Sequence, residues 1–171
     1  MPCSCRLELG AGSGLVGLAV ALGCAIDPPI LITDQAAMLP LMAQNTSLNG
    51  LGDRVVPLEL NWGAPLPLLV ETQKPTIILA ADCVYFEPAF PLLLATLNQL
   101  LDLSPNARVY FCFKKRRRAD LRFMKKARKL FVVDEVADEE RSVWEKDGLF
   151  LYVFTRKEAA MAGAYKNRAS I

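Results

Sequence analysis

Apolar residues fall in short runs separated by stretches in which they recur with helical spacing. The runs RLELG (6–10), PILITD (29–34), DRVVPLEL (53–60), PTIILAADCVYF (75–86), ARVYFCF (107–113), FVVDEVA (131–137) and LFLYVFT (149–155) predict strands, the fourth continuing into a loop. Pro57 within the third run hints at an edge strand or an irregularity, since proline has no N–H for a ladder on both sides. Between the runs, GLVGLAVALGC (14–24) predicts a helix of small residues that can pack closely on a sheet. AAMLPLMAQNTSLN (36–49) predicts a second helix in spite of Pro40, closed by Asn49-Gly50 in the manner of a C-cap. Glu87-Pro88 opens a third, ending near Asp102, because proline in a first turn forfeits no needed hydrogen bond. ADLRFMKKARKLF (119–131) predicts a basic amphipathic helix. The piece GAPLPLLVETQKP (63–75) reads as a short connection, and residues 158–171 as a frayed tail.

Strands alternating with helices predict a three-layer α/β domain over residues 1–157, with a mostly parallel sheet and an antiparallel final strand. At 171 residues the chain is one domain, long enough to bury about 70% of its unfolded surface. Its 53% hydrophobic content suits a sheet covered on both faces. No apolar run reaches the roughly 18 to 20 residues of a membrane span, and the start MPCSCRLELG lacks a basic n-region and a signal-peptide core. A monomeric cytoplasmic protein without a membrane partner is the expectation.

Five cysteines and no histidine are present. Cys3 and Cys5 form a C-x-C pair with no second pair at metal-ligand spacing, so no metal site is expected and the thiols read as free and mostly buried. The net charge is only +2, too small for a global field that would gather nucleic acid, but its distribution is uneven. Residues 114–129 hold ten Lys/Arg against Asp120 alone, and residues 134–147 then hold seven acids.

The richest chemistry lies in LELGAGSGLVGLAV (7–20). Glycine at a first strand-to-helix turn lets backbone amides approach a ligand with no side chain in the way. Gly12 to Gly17 match G-x-G-x-x-G, the dinucleotide fingerprint, while Glu8 to Gly14 match E-x-G-x-G-x-G, the pattern of S-adenosylmethionine binding. Glu8 favours the second, because a carboxylate there can receive a ligand's ammonium group through water or a neighbouring amide. Asp34, ending the second strand, suits either, since a carboxylate in that place accepts hydrogen bonds from a ribose diol. The plainer alternative is a glycine turn that packs helix on strand, with Asp34 as a helix N-cap.

Together with ELGAGSGLVGLA and ITD, the segments LELNWG (58–63) and ILAADCVYFEPAF (78–90) resemble the seven-β-strand protein methyltransferases of the METTL21-like family. That family carries a tryptophan after the third strand and a D-x-x-Y motif after the fourth; here these are Trp62 and Asp82-Cys83-Val84-Tyr85. The stretch FCFKKRRRADLRFMKKARKLF with GLFLYVFTRK is most similar to the fungal branch that methylates lysine in translation elongation factor 1A. The resemblance implies a class I, Rossmann-like fold, S-adenosylmethionine as cofactor, and protein-lysine N-methylation. It implies that Glu8, Gly10, Gly12 and Gly14 line the methionine end, that Asp34 holds the ribose, and that Asn61, Trp62 and Ala81 border the rest of the cofactor. Asn61 replaces an acid often found at its position. Asp82 and Tyr85 would stand beside the sulfonium and the incoming lysine.

Each position also has a plainer use: Trp62 and Tyr85 as packing aromatics, Asp82 as a cap for the helix near Pro88, Asn45 and Asn49 in helix termination. The run Lys114–Arg118 reads first as a solvated face, then as a dock for an acidic patch of a protein substrate, and last as an RNA contact, since no aromatics interleave it. The family has a helical stretch before its first strand, whereas here that strand begins five residues from Met1. The chain is therefore read as short at its N-terminus, with a weakened hold on the cofactor. A catalytically weak interaction protein and a nicotinamide oxidoreductase are the alternatives, the latter disfavoured by Glu8 and by the closing strand pair.

Overall fold

The computed structural model describes residues 5–25 and 27–157. Cys3 and the stretch 158–171 read as a tail lie outside the described residues. Seven strands form one sheet: β1 (Arg6–Leu9), β2 (Ile30–Asp34), β3 (Val55–Glu59), β4 (Ile77–Ala81), β5 (Arg108–Lys114), β6 (Phe131–Glu135) and β7 (Leu149–Arg156). Six helices accompany them: α1 (Leu15–Gly23), α2 (Leu39–Leu48), α3 (Leu68–Gln73), α4 (Phe90–Leu103), α5 (Arg118–Leu130) and α6 (Arg141–Lys146).

The strand order is β3-β2-β1-β4-β5-β7-β6. The first five strands are parallel, and β7 enters antiparallel between β5 and β6, as the closing apolar runs predict. Pro57 does lie on an edge strand, β3, where the side facing solvent needs no N–H. Pro40 falls in the first turn of α2 and so interrupts nothing, and a 3₁₀ turn over Ala36–Met38 precedes it.

Two short helices correct the sequence reading. α3 occupies part of the supposed connection 63–75, and α6 part of the charged loop between β6 and β7. Each is six residues long, too short for a periodic apolar pattern to register. The fourth strand ends at Ala81 because Asp82 turns into the left-handed region at φ 55°.

Alternation along the strands sorts side chains onto two faces. Leu7, Leu9, Leu31 and Ile78 enter a large core with α4 and α5, whereas Ile30 and Ile32 enter a smaller one with α1 and α2. In the large core Phe111 stacks on Phe123 of α5 at 5.4 Å and on Phe154 of β7 at 4.7 Å, and Phe90 at the start of α4 meets Phe123 edge-on. Glu8, between Leu7 and Leu9, points to the opposite, α1 side. The chain reverses direction across the sheet between β1 and β4. The loops leaving β1, β2, β4 and β5 all emerge at the same carboxyl edge, where open α/β sheets bind ligands.

Candidate active site

The loop after β1 is shaped by three glycines in left-handed conformation: Gly10 at φ 66°, Gly12 at 57° and Gly14 at 85°. Gly14 precedes α1, and a Cβ on it would lie 2.9 Å from Ile32. A Cβ on Gly10 would lie 2.8 Å from the Trp62 ring and 3.0 Å from the Cys83 sulfur. The glycine loop, the tryptophan after β3 and the D-x-x-Y loop after β4 therefore touch at one residue. A Cβ on Gly12, in contrast, would meet nothing within 4 Å. Here the backbone borders open space.

Two carboxylates hold this loop. Asp34 accepts the Gly12 amide at 2.7 Å with one oxygen and the Gln35 amide at 2.7 Å with the other. It ties β2 to the glycine loop and caps no α-helix. Glu8 is buried and accepts the Gly17 amide at 2.8 Å, inside the first turn of α1. Burial, opposed by that amide and assisted by the nearby Asp34 charge, pushes its carboxyl up to about 7. This arrangement is hostile to a pyrophosphate, which needs the amides that Glu8 already uses and would lie against two acids. It suits a ligand with cationic groups and a diol, as S-adenosylmethionine has, and the open face of Gly12 leaves room for one.

Trp62 is half-buried against the large core, and Leu60 before it donates its amide to the Asp34 carbonyl at 2.9 Å. Asn61 is exposed and its side chain turns to Glu59 at 2.7 Å. Ala81 ends β4 opposite Cys112. Asn45 corrects the sequence reading: only Asn49 serves helix termination, by donating to the Asn45 carbonyl at 2.8 Å. The Asn45 amide instead donates to the Ser13 carbonyl at 2.9 Å, bracing the glycine loop from α2.

In the D-x-x-Y loop the outer residues face solvent and the inner ones the core. Cys83 and Val84 are buried, the Cys83 thiol donating to the Leu9 carbonyl at 3.2 Å. Burial pushes that thiol far up, which leaves it inert. Asp82 and Tyr85 are exposed at the carboxyl edge, and neither caps the helix that follows. Asp82 receives a bidentate contact from Arg116, at 2.6 and 2.9 Å, and this guanidinium holds its carboxyl below the usual carboxylate range.

Arg116 belongs to the basic run, all five residues of which are exposed, as a solvated face would be, yet two of them also reach the 82–87 loop. Arg117 donates to the Tyr85 carbonyl, and Arg122 forks onto Glu87 at 2.7 and 2.9 Å. Asp120, fully buried, accepts the amides of Arg116 and Arg117 at 2.8 and 2.9 Å and holds the turn that presents them. Three arginines thus clamp the 82–87 loop. Nothing in the local sequence marks them, because their partners lie more than thirty positions earlier. Lys115 and Arg118 are exposed like the rest of the run.

Among the described residues no helix is long and apolar enough to cross a membrane, and no cluster of potential metal ligands occurs. Residues 3–130 match the family described as lysine methyltransferase. The chain is 37% identical over 143 residues to the protein-lysine N-methyltransferase EFM6 of Saccharomyces cerevisiae, covering 77% of this chain and 58% of that protein. It is 36% identical over 111 residues to the EEF1A lysine methyltransferase 3 of Mus musculus, covering 64% and 45%. The chain thus spans about half the length of these curated relatives. Its fold is similar to that of the S-adenosylmethionine-dependent methyltransferase SibL in its apo form, with a TM-score of 0.66 at 14% identity over 91% of this chain and 51% of that one. The three-layer fold and the family read from the motifs are both borne out.

Proposed function

The chain belongs to the lysine methyltransferase family, and on that premise we propose that it transfers a methyl group from S-adenosylmethionine to a lysine side chain of a protein. The observation that carries this reading is the packing of Gly10 against both Trp62 and Cys83. It joins an acid-lined, open glycine cradle to the loop bearing Asp82, so that cofactor and acceptor can share one crevice. In this reading residues 1–157 act as one catalytic domain.

Gly10, Gly12 and Gly14 with Glu8 would hold the methionine end, Asp34 the ribose, and Trp62, Asn61 and Ala81 the adenine side. When bound, S-adenosylmethionine would supply a methyl group on a sulfonium sulfur; the neutral amine would bond to its carbon in line as the carbon–sulfur bond breaks, giving S-adenosylhomocysteine and a methylated ammonium that then loses a proton. Keeping a lysine of ordinary basicity neutral at pH 7.4 costs about 4 kcal/mol. Alignment of two bound reactants supplies roughly 7 to 11 kcal/mol, so positioning outweighs that cost. Asp82 accepts a hydrogen bond from the acceptor amine and orients its lone pair, Tyr85 borders the same opening, and the displaced proton leaves to water. No histidine is required.

The acceptor we propose is translation elongation factor 1A, with the cytoplasm as the place of action. This choice is supported by the likeness to a relative named for that substrate and by the basic segment after β5. The test is transfer of labelled methyl from S-adenosylmethionine to purified elongation factor 1A, alongside calorimetric titration of the chain with S-adenosylhomocysteine. Micromolar binding with label on lysine is the expected result. Binding without label on this acceptor overturns the choice of substrate, and absence of binding in a folded chain overturns the cofactor reading.

A further inference from the structure

Resting on the proposed lysine transfer, we infer that Arg116 is a positioning residue whose guanidinium neutralises the Asp82 carboxylate, so that an acceptor lysine meets an ion pair and not a bare anion. Both ends of the pair are built in. Asp82 is held by its left-handed backbone and by its amide, which donates to the Cys112 carbonyl at 2.8 Å. Arg116 is held by its own amide, which donates to the fully buried Asp120 at 2.8 Å. The fork then closes at 2.6 and 2.9 Å between side chains about half-exposed at the mouth of the site. Two anchored backbones distinguish this contact from a surface pair of two free side chains.

The chemistry makes the pairing matter. An unpaired carboxylate beside an amine favours the ammonium form and raises its pKa by about 1 to 3 units. That strengthens lysine binding while removing the neutral form that reacts. A carboxylate offers about four lone-pair directions, and a guanidinium fork uses two of them. The remaining two can accept from the lysine amine while the positive charge behind them cancels much of the field. Asp82 then orients the amine without holding its proton.

The charged groups around the pair are themselves balanced, Asp120 being met by Arg117. Lys114 on β5 is a second cation beside Asp82, and Asp120 on α5 lies behind Arg116. Glu87 is taken up by Arg122, and Asp34 and Glu8 are held on the amides of Gly12 and Gly17.

The test compares wild type with Arg116→Ala, Arg116→Lys and Arg122→Ala, measuring methyl transfer to elongation factor 1A from about pH 6.5 to about pH 9.5. Arg116→Ala is expected to lower KM for the acceptor. It should also lower kcat about tenfold at every pH below the acceptor's own pKa, so that kcat/KM is nearly unchanged. Arg116→Lys keeps the charge and should restore most of both values. Arg122→Ala, which loosens the same loop without touching Asp82, should lower kcat with no fall in KM, so that kcat/KM falls as well. Titration with S-adenosylhomocysteine reports whether each variant is folded, and Arg116→Lys carries the comparison if Arg116→Ala is not. A fall in kcat for Arg116→Ala with no fall in KM, or a variant faster than wild type at every pH, overturns the inference alone. Absence of transfer by wild type overturns the choice of acceptor, and absence of S-adenosylhomocysteine binding by folded wild type overturns the proposed function and this inference with it.

Discussion

The Glu8 carboxylate accepts the Gly17 amide at 2.8 Å, closing β1 onto the first turn of α1 beneath the glycine loop. Burial pushes this acid up to about 7, so the folded chain keeps a proton there where an unfolded chain has released it. Stability supplied by the neutral form is fully present below about pH 4.3 and is lost as pH rises toward 7, a span worth about 3 kcal/mol. Urea denaturation at pH 5 and pH 8 should show that fall for wild type, while Glu8→Gln should flatten it. A slope unchanged in the variant would place its origin in another group.

Gly12 and Gly17 separate binding from stability. A methyl group on Gly12 would project into open space, with only the left-handed backbone opposing it, about 1 to 2 kcal/mol. Gly12→Ala should therefore stay folded yet lose S-adenosylhomocysteine affinity by about tenfold or more, a loss of about 1.4 kcal/mol in binding. A methyl group on Gly17 would lie 2.3 Å from the Ile32 side chain and 2.6 Å from Glu8. Gly17→Ala should cost about 1 to 3 kcal/mol of stability or more, read by thermal melting. Equal behaviour of the two variants would contradict the cradle assigned to Gly12.

Asp82→Asn keeps the residue's tolerance for left-handed backbone but removes the charge that receives Arg116. Turnover should fall about a hundredfold, as expected for a misoriented reactant, with affinity for S-adenosylhomocysteine nearly unchanged. A parallel loss of both would move Asp82 into cofactor binding.

The clamp on the 82–87 loop has a structural end and a surface end. Asp120→Ala leaves the amides of Arg116 and Arg117 without their acceptor and should cost about 1 to 3 kcal/mol for each group left unpaired. Arg122→Ala removes a half-exposed pair and should cost less than about 1 kcal/mol while still lowering turnover. Chemical denaturation with kinetics on the same samples checks both.

Much of this molecule is legible without coordinates. Apolar runs and glycine turns are short-range signals, and they place every strand, the four longer helices, the edge position of Pro57 and the E-x-G-x-G-x-G loop. The motifs after the third and fourth strands point to the family, because each needs only its own few residues to be recognised. The six-residue helices α3 and α6 carry too little pattern to be read. What only the tertiary structure decided is which distant groups meet: Gly10 against Trp62 and Cys83, Asn45 beneath Ser13, and the arginines of the basic run on Asp82, Tyr85 and Glu87. A charge run in a sequence has a sign but no address. Its partners are chosen when packing of β4 beside β5, and of Phe90 on Phe123, brings two loops to one edge of the sheet, where half-exposed opposite charges come within reach of each other.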